Sequence, residues 1–161
     1  MLLTYASWAG LINLLKMRFI FYFLLYFISV PAIAQDPKDD IKQVITQLFK
    51  GMQESDSASV VSVFMDGAIM QTIVNTKENK TIVKNELVNN FASSVGRQKK
   101  GSLNEIIEFD DIKIDPPLAF VWTPYRFYFN GSYSHSGVNA FCLVKSLGGW
   151  RIQYIIDTRK R

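Results

Sequence analysis

Residues 118–158 decide the fold of this chain, and they read LAFVWTPYRFYFNGSYSHSGVNAFCLVKSLGGWRIQYIIDT. Asn130-Gly131 and Gly148-Gly149 are dipeptides typical of tight hairpins, because these residues tolerate a positive φ. Between and around the turns lie runs rich in aromatic and β-branched residues, which predict strands at 118–129, 133–146 and 150–158. The stretch is therefore predicted to be an antiparallel meander.

The residues before this meander predict three helices and two further strands. One apolar set recurs at spacings of three and four, as on the buried face of a helix that begins near Pro37 and ends within 51–55. Its members are Ile41, Val44, Ile45, Leu48, Phe49 and Met52. Asp56 is a candidate cap for a short second helix, a third helix is predicted over 82–95, and strands over 68–76 and 103–114. This order predicts an α+β fold, in which a cone-shaped, curved antiparallel sheet packs on three N-terminal helices.

The composition excludes several classes of function. The chain has 161 residues, a net charge of +4 and no basic stripe with interleaved aromatic residues, so no nucleic-acid partner is predicted. The run Arg159-Lys160-Arg161 is interpreted as a solvated tail. Cys142 is the single cysteine, is flanked by apolar residues and is expected to be buried. No Cys/His spacing suits a metal, and no cofactor is predicted.

The N-terminal region has the order of a secretory signal. Met17-Arg18 is followed by an apolar run to Val30 and then by Ala32-Ile33-Ala34, an Ala-x-Ala cleavage pattern. We therefore expect an upstream extension at residues 1–16, a signal peptide at 17–34 and one exported domain, periplasmic or secreted, at 35–161. The alternative is an uncleaved anchor, although the apolar run is shorter than the roughly 20 residues that span a bilayer. Recovery outside the cytoplasm of a chain that begins at Gln35 would distinguish cleavage from anchoring.

Strand alternation gathers the candidate site residues on one face. If Asn130-Gly131 is a two-residue turn, Arg126 lies opposite His135, and Trp122 opposite Asn139. A turn centred on Gly148 then brings Asn139 near Asp157. The face predicted in this way is mixed polar and aromatic. It comprises Trp122, Arg126, Tyr128, His135, Asn139 and Asp157, and a bulge at Pro124 would exchange Trp122 for Tyr125.

This mixed face has two interpretations. In the first it lines a pocket, where His135 and Asp157 form an acid–base pair or a ligand clamp, Arg126 binds an anion and Trp122 stacks on a ring. In the second it faces solvent or a dimer partner. Its polar side chains then satisfy one another, and Arg126 pairs with a carboxylate such as Glu108.

Several motifs of the meander resemble one known superfamily. Val121-Trp122-Thr123-Pro124-Tyr125, Ser134-His135-Ser136-Gly137-Val138 and Gly149-Trp150-Arg151-Ile152 resemble the C-terminal half of bacterial nuclear transport factor two-like, or SnoaL-like, proteins. Within that superfamily the chain is similar to the exported group named for lumazine binding. The resemblance implies a cystatin-like α+β roll with a conical pocket, and a homodimer. It implies no activity, because the superfamily holds isomerases, dehydratases, cyclases and many non-enzymes.

Two functions follow from these observations. The favoured one is an exported binding module that holds a small molecule or a partner protein in a conical pocket. The alternative is a small isomerase, dehydratase or cyclase that uses His135 and Asp157 as general acid and base. The predicted pocket offers one histidine and no second strong acid, which are few groups for acid–base catalysis, and this favours binding. No membrane association is expected once the signal is cleaved.

Overall fold

The structure, a computed structural model, describes residues 36–160. The upstream extension predicted at residues 1–16 and the signal peptide predicted at 17–34 lie outside these residues. Within residues 36–160, no helix is both long enough and apolar enough to cross a membrane.

The described chain forms three helices and one sheet of seven strands. The helices are α1 (Pro37–Glu54), α2 (Ser57–Ser62) and α3 (Val88–Gly96). The strands are β1 (Phe64–Asn75), β2 (Thr81–Glu86), β3 (Leu103–Ile107), β4 (Asp111–Asp115), β5 (Leu118–Phe129), β6 (Ser132–Ser146) and β7 (Gly149–Thr158). Their order in the sheet is β2-β1-β7-β6-β5-β3, and β4 also pairs with β5. The predicted α+β class, with a curved sheet and helices towards the N-terminus, is confirmed.

Helix α1 provides the helical half of the core. Asp36 caps its first turn by accepting a hydrogen bond from the Lys38 backbone at 2.9 Å, and Pro37 follows where no backbone donor is needed. Ile41, Ile45 and Leu48 are almost fully buried. The Phe49 ring meets the Phe141 ring of β6 edge-on, with centroids 6.3 Å apart. These contacts set the helix across the sheet.

Two predicted elements differ in the structure. Residues 82–86, predicted as the start of a helix, belong to β2, which pairs antiparallel with β1 from Thr81–Asn75 to Glu86–Met70. Pairing with a neighbouring strand there outweighs the helical spacing of the apolar residues. The strand predicted over 103–114 is divided into β3 and β4 by residues 108–110. One pairing, between β1 and β7, is parallel, whereas the other strand pairs are antiparallel.

The β5–β6 register contains one extra residue. Phe129 pairs with Ser132 across Asn130-Gly131, both at positive φ, so the predicted two-residue turn is confirmed. Tyr128 pairs with Tyr133, but Phe127 pairs with His135, which leaves Ser134 as a β-bulge. Every later pair on β5 and β6 is therefore shifted by one residue from the predicted register.

The burial of Leu48 in the core can be tested by substitution. Leu48→Ala should lower the free energy of unfolding by about 2–5 kcal/mol, because it removes a buried side chain between α1 and the sheet. Leu147→Ala is the matched control, since Leu147 is fully exposed and its loss should change stability by less than about 0.5 kcal/mol. Urea unfolding of both variants measures the difference. A loss below about 1 kcal/mol for Leu48→Ala would place this helix face outside the core.

Candidate functional site

A cavity of about 260 Å³ lies between the helices and the sheet. Its wall is formed by α1, α3, six strands and Arg159, which follows β7. The lining residues are Leu48, Phe49, Met52, Met70, Gln71, Thr72, Glu86, Phe91, Leu103, Glu105, Tyr125, Phe127, His135, Asn139, Ile155, Asp157 and Arg159. Most of this wall is apolar, and its polar side chains come mainly from the strands.

Asp157 is the centre of the largest polar cluster in this cavity. Its Oδ1 accepts a hydrogen bond from the Thr72 hydroxyl at 2.5 Å. Its Oδ2 accepts from the Tyr125 hydroxyl at 3.1 Å and from Arg159 Nε at 3.0 Å. The Arg159 guanidinium also reaches Thr72 Oγ1 at 3.3 Å. The carboxylate is thus satisfied by neutral donors and one cation, which permits its burial.

Tyr125 presents a neutral hydroxyl to the cavity. Removal from water raises the pKa of Tyr125, and the nearby carboxylates of Asp157 and Glu105 raise it further. Its single hydroxyl hydrogen has two acceptors within reach, Asp157 Oδ2 and the Thr158 carbonyl oxygen at 2.9 Å. At neutral pH the group therefore acts as a hydrogen-bond donor.

Gly137 allows the Tyr125 ring to occupy its place. The two residues face each other across β5 and β6. A Cβ atom at Gly137 would lie 1.8 Å from the Thr158 carbonyl oxygen and 2.9 Å from Tyr125 Cε1, closer than real Cβ contacts. The glycine is thus required by close approach of the neighbouring backbone and ring.

Glu105 is a second carboxyl group in the cavity wall. It projects from β3, and its Oε1 accepts a hydrogen bond from Asn139 Nδ2 at 2.8 Å. Burial raises the pKa of Glu105 to about 7, although the Asn139 hydrogen bond acts in the opposite direction. Asp157 adds a smaller repulsion in the same direction as burial. At neutral pH this carboxyl group is divided between its protonated and ionised forms.

His135 forms part of an aromatic wall. Its ring centroid lies 5.1 Å from that of Phe127 and 5.7 Å from that of Tyr125, the latter edge-on. Its Nδ1 lies 3.0 Å from the Ser134 hydroxyl, the bulged residue of β6. The bulge therefore places a polar partner directly beside the imidazole.

The structure gathers four of the predicted site residues around this one cavity. Tyr125, His135, Asn139 and Asp157 all line it, and Asn139 pairs with Asp157 across β6 and β7 as predicted. Pro124, where the sequence allows a bulge, pairs regularly with Val138. The bulge at Ser134 shifts the β5–β6 pairing by one residue instead, so that Tyr125 faces the cavity.

The expected position of Trp122, Arg126 and Tyr128 is wrong. Trp122 and Arg126 are exposed on the opposite face of the sheet, and the Tyr128 ring packs edge-on against Tyr133, with centroids 5.9 Å apart. A one-residue shift turns alternate side chains of a strand to the other face, so all three residues were misplaced together. Two smaller expectations also fail: Cys142 is only partly buried, and Arg159 is bound to Asp157 rather than free in a solvated tail.

Sequence reasoning missed Glu105, Thr72, Phe127 and Arg159. Glu105 had one usable signal, since it is the lone charge in the strand sequence LNEII. No sequence signal pointed to Thr72, because its role depends on β1 lying beside β7, a parallel pairing between distant segments. Within residues 36–160, no group of three His, Cys, Asp or Glu side chains is arranged to hold a metal ion.

No protein-family model matches this chain, and no curated protein matches it. Solved structures do match. A domain of unknown function with a cystatin-like fold from Nostoc punctiforme PCC 73102 superposes with a TM-score of 0.62 at 15% identity, over 80% of each chain. A nuclear transport factor two-like protein of unknown function from Shewanella baltica OS155 gives 0.60 at 15% identity, over 77% of this chain and 94% of that one.

A third similar structure carries a functional name. It is a ketosteroid isomerase-like protein from Erwinia carotovora atroseptica SCRI1043, with a TM-score of 0.56 at 12% identity, over 79% of this chain and 98% of that one. These similarities show that the chain has the nuclear transport factor two-like, cystatin-like fold, as the sequence motifs predicted. The narrower similarity to the exported lumazine-binding group stays a prediction.

The raised pKa of Glu105 predicts an unusual pH dependence of stability. Its ordinary pKa is 4.5 and its folded value about 7, so the folded state binds more protons within this window. The contribution of Glu105 to stability is therefore present below pH 4.5 and is lost as the pH rises to 7. Between pH 4.5 and pH 7 the free energy of unfolding should fall by about 2–3 kcal/mol less in Glu105→Gln than in the parent protein.

Urea unfolding at a series of pH values measures this effect. Glu108→Gln is the matched control, since Glu108 is an exposed carboxylate three residues further along the chain. The control should keep the pH dependence of the parent protein. An unchanged pH dependence in Glu105→Gln would show that its carboxyl group is solvated in the folded state.

Proposed function

We propose that the cavity binds a small, mostly apolar molecule that contains rings and directs one uncharged polar group towards Glu105 and Tyr125. The single observation that carries this proposal is the composition of the cavity, whose mainly apolar and aromatic surface surrounds a set of convergent polar side chains. Pockets for small organic molecules have this composition.

Hydrogen bonding favours an uncharged polar group at this position. Asn139 engages one oxygen of Glu105, and a carboxyl group can form further hydrogen bonds. In its protonated form Glu105 donates, for example to a carbonyl group, and in its ionised form it accepts, for example from a hydroxyl group. The Tyr125 hydroxyl beside it directs its hydrogen to Asp157 or to Thr158, so its oxygen is left as an acceptor for a ligand hydroxyl group. A negative group here would be repelled by Asp157 and by the ionised form of Glu105.

The aromatic wall supports a ligand that contains rings. Phe127 and His135 lie side by side, and Phe91 of α3 and Phe49 of α1 also line the cavity. Flat ring systems pack favourably against such side chains. Export through a signal peptide and assembly as a homodimer remain predictions of the sequence.

An enzyme of the isomerase, dehydratase or cyclase kind is the second candidate. One observation favours it: the pKa of Glu105 lies near neutral pH, where a group that takes up and releases a proton works best. In this version Glu105 moves the proton, whereas Tyr125 and the predicted pair His135 and Asp157 bind the substrate. Glu105→Gln would then abolish turnover of a bound compound without abolishing its binding.

Binding can be tested with N-phenyl-1-naphthylamine, a neutral aromatic dye that fluoresces in apolar sites. The parent protein should bind it with saturable fluorescence enhancement. Leu103→Trp should weaken binding at least about tenfold, because the larger ring fills the cavity that Leu103 lines. Leu118→Trp is the control, since Leu118 is half-exposed at the start of β5 and should leave binding unchanged.

Circular dichroism and thermal unfolding establish that both variants fold. Absence of saturable dye binding to the parent protein would contradict the proposal. Equal binding by the parent protein and by folded Leu103→Trp would contradict it as well, because the dye would then bind elsewhere.

A further inference from the structure

An outer recess of about 800 Å³ adjoins the cavity. The cavity and the recess share Phe127, His135 and Arg159, which form the boundary between them. Beyond this boundary the recess is lined by Lys84 of β2, by Lys160, and by residues of β1, β5 and β6. The cavity and the recess are therefore neighbours, separated by the side chains of these three residues.

The charge of the wall changes sign across this boundary. The cavity contains the three carboxyl groups of Glu86, Glu105 and Asp157. The recess contains Lys84 and Lys160, and none of the described residues that line it is acidic. Arg159 lies at the boundary, where its guanidinium is bound to Asp157. Among the described residues, Arg159 forms the ion pair with Asp157, and neither lysine does.

Strand pairing fixes the backbone of both lysines. Lys84 lies opposite Thr72, the residue whose hydroxyl binds Asp157. Lys160 exchanges two backbone hydrogen bonds with Ser136, at 2.7 and 2.9 Å. The backbone positions of both lysines are therefore ordered. A negative group in the recess would interact with their ammonium groups at short range.

We propose that the molecule bound in the cavity carries an oxyanion, such as a carboxylate, sulfate or phosphate group, on the end that extends into the recess. The oxyanion lies beside Lys84 and Lys160, and the rings lie against Phe127 and His135 on the cavity side. The inference rests on the proposed function, and it narrows the ligand to an amphipathic aromatic anion. A negative charge inside the cavity would be repelled by its carboxyl groups. The electrostatic potential of the lining residues therefore also orients the ligand, with its oxyanion towards the recess.

The test compares two dyes that share one aromatic skeleton. 8-Anilino-1-naphthalenesulfonate is N-phenyl-1-naphthylamine with a sulfonate group added. Replacing both lysines, Lys84→Gln with Lys160→Gln, should weaken binding of the sulfonate dye about tenfold and change binding of the neutral dye less than twofold. Raising the salt concentration from about 20 mM to about 500 mM should weaken only the sulfonate dye, because exposed charges are screened.

The double substitution Lys38→Gln with Lys50→Gln is the control for net charge, since both lysines lie on α1 and line neither the cavity nor the recess. It should leave the affinity for both dyes unchanged. If the lysine pair and the salt leave the sulfonate dye unaffected while the neutral dye still binds, the oxyanion proposal is wrong and the binding function stands. If neither dye binds, or if folded Leu103→Trp binds both normally, the binding function itself is wrong.

Discussion

The packing of α1 across the sheet is the contact on which the rest of the structure depends. Ile41, Ile45 and Leu48 bury one side of the helix, and Phe49 meets Phe141 edge-on. Apolar burial of this kind is the main favourable term in folding. The helix does not fill the space above the sheet, and α3 contributes Phe91 beside it. The cavity is the space that this packing leaves.

A second level of organisation is the polar cluster at the wall of that cavity. The Asp157 carboxylate joins β7 to β1 through Thr72 and to β5 through Tyr125. Glu105 and Asn139 join β3 to β6 in the same way. Buried polar groups of this kind are costly unless hydrogen-bonded, so each pair restrains the relative positions of its strands. The same bonds hold Glu105 and Tyr125 at the cavity wall in defined orientations.

The two carboxyl groups have different environments. Asp157 accepts hydrogen bonds from two hydroxyl groups and an arginine, whereas Glu105 receives one from an amide and loses most contact with water. Burial therefore raises the pKa of Glu105 towards neutrality. A carboxylate held by three donors, beside an acid whose pKa lies near neutrality, can serve recognition of an uncharged group or transfer of a proton. Outside the cavity, the recess adds the two positive charges of Lys84 and Lys160 on the far side of Phe127 and His135.

The sequence by itself determined the elements whose signals are local. The apolar spacing of α1, the Asp56 cap of α2, the turn at Asn130-Gly131 and the bounds of β5 all follow from neighbouring residues. The superfamily motifs identified the fold, and the pairing of Asn139 with Asp157 was also predicted. Tertiary structure alone decided the bulge at Ser134, which places Tyr125 and Phe127 in the cavity and turns Trp122 and Arg126 away. The physical reason is that a bulge changes strand parity through pairing with a distant segment, and no local pattern in SYSHSG records which residue stays unpaired.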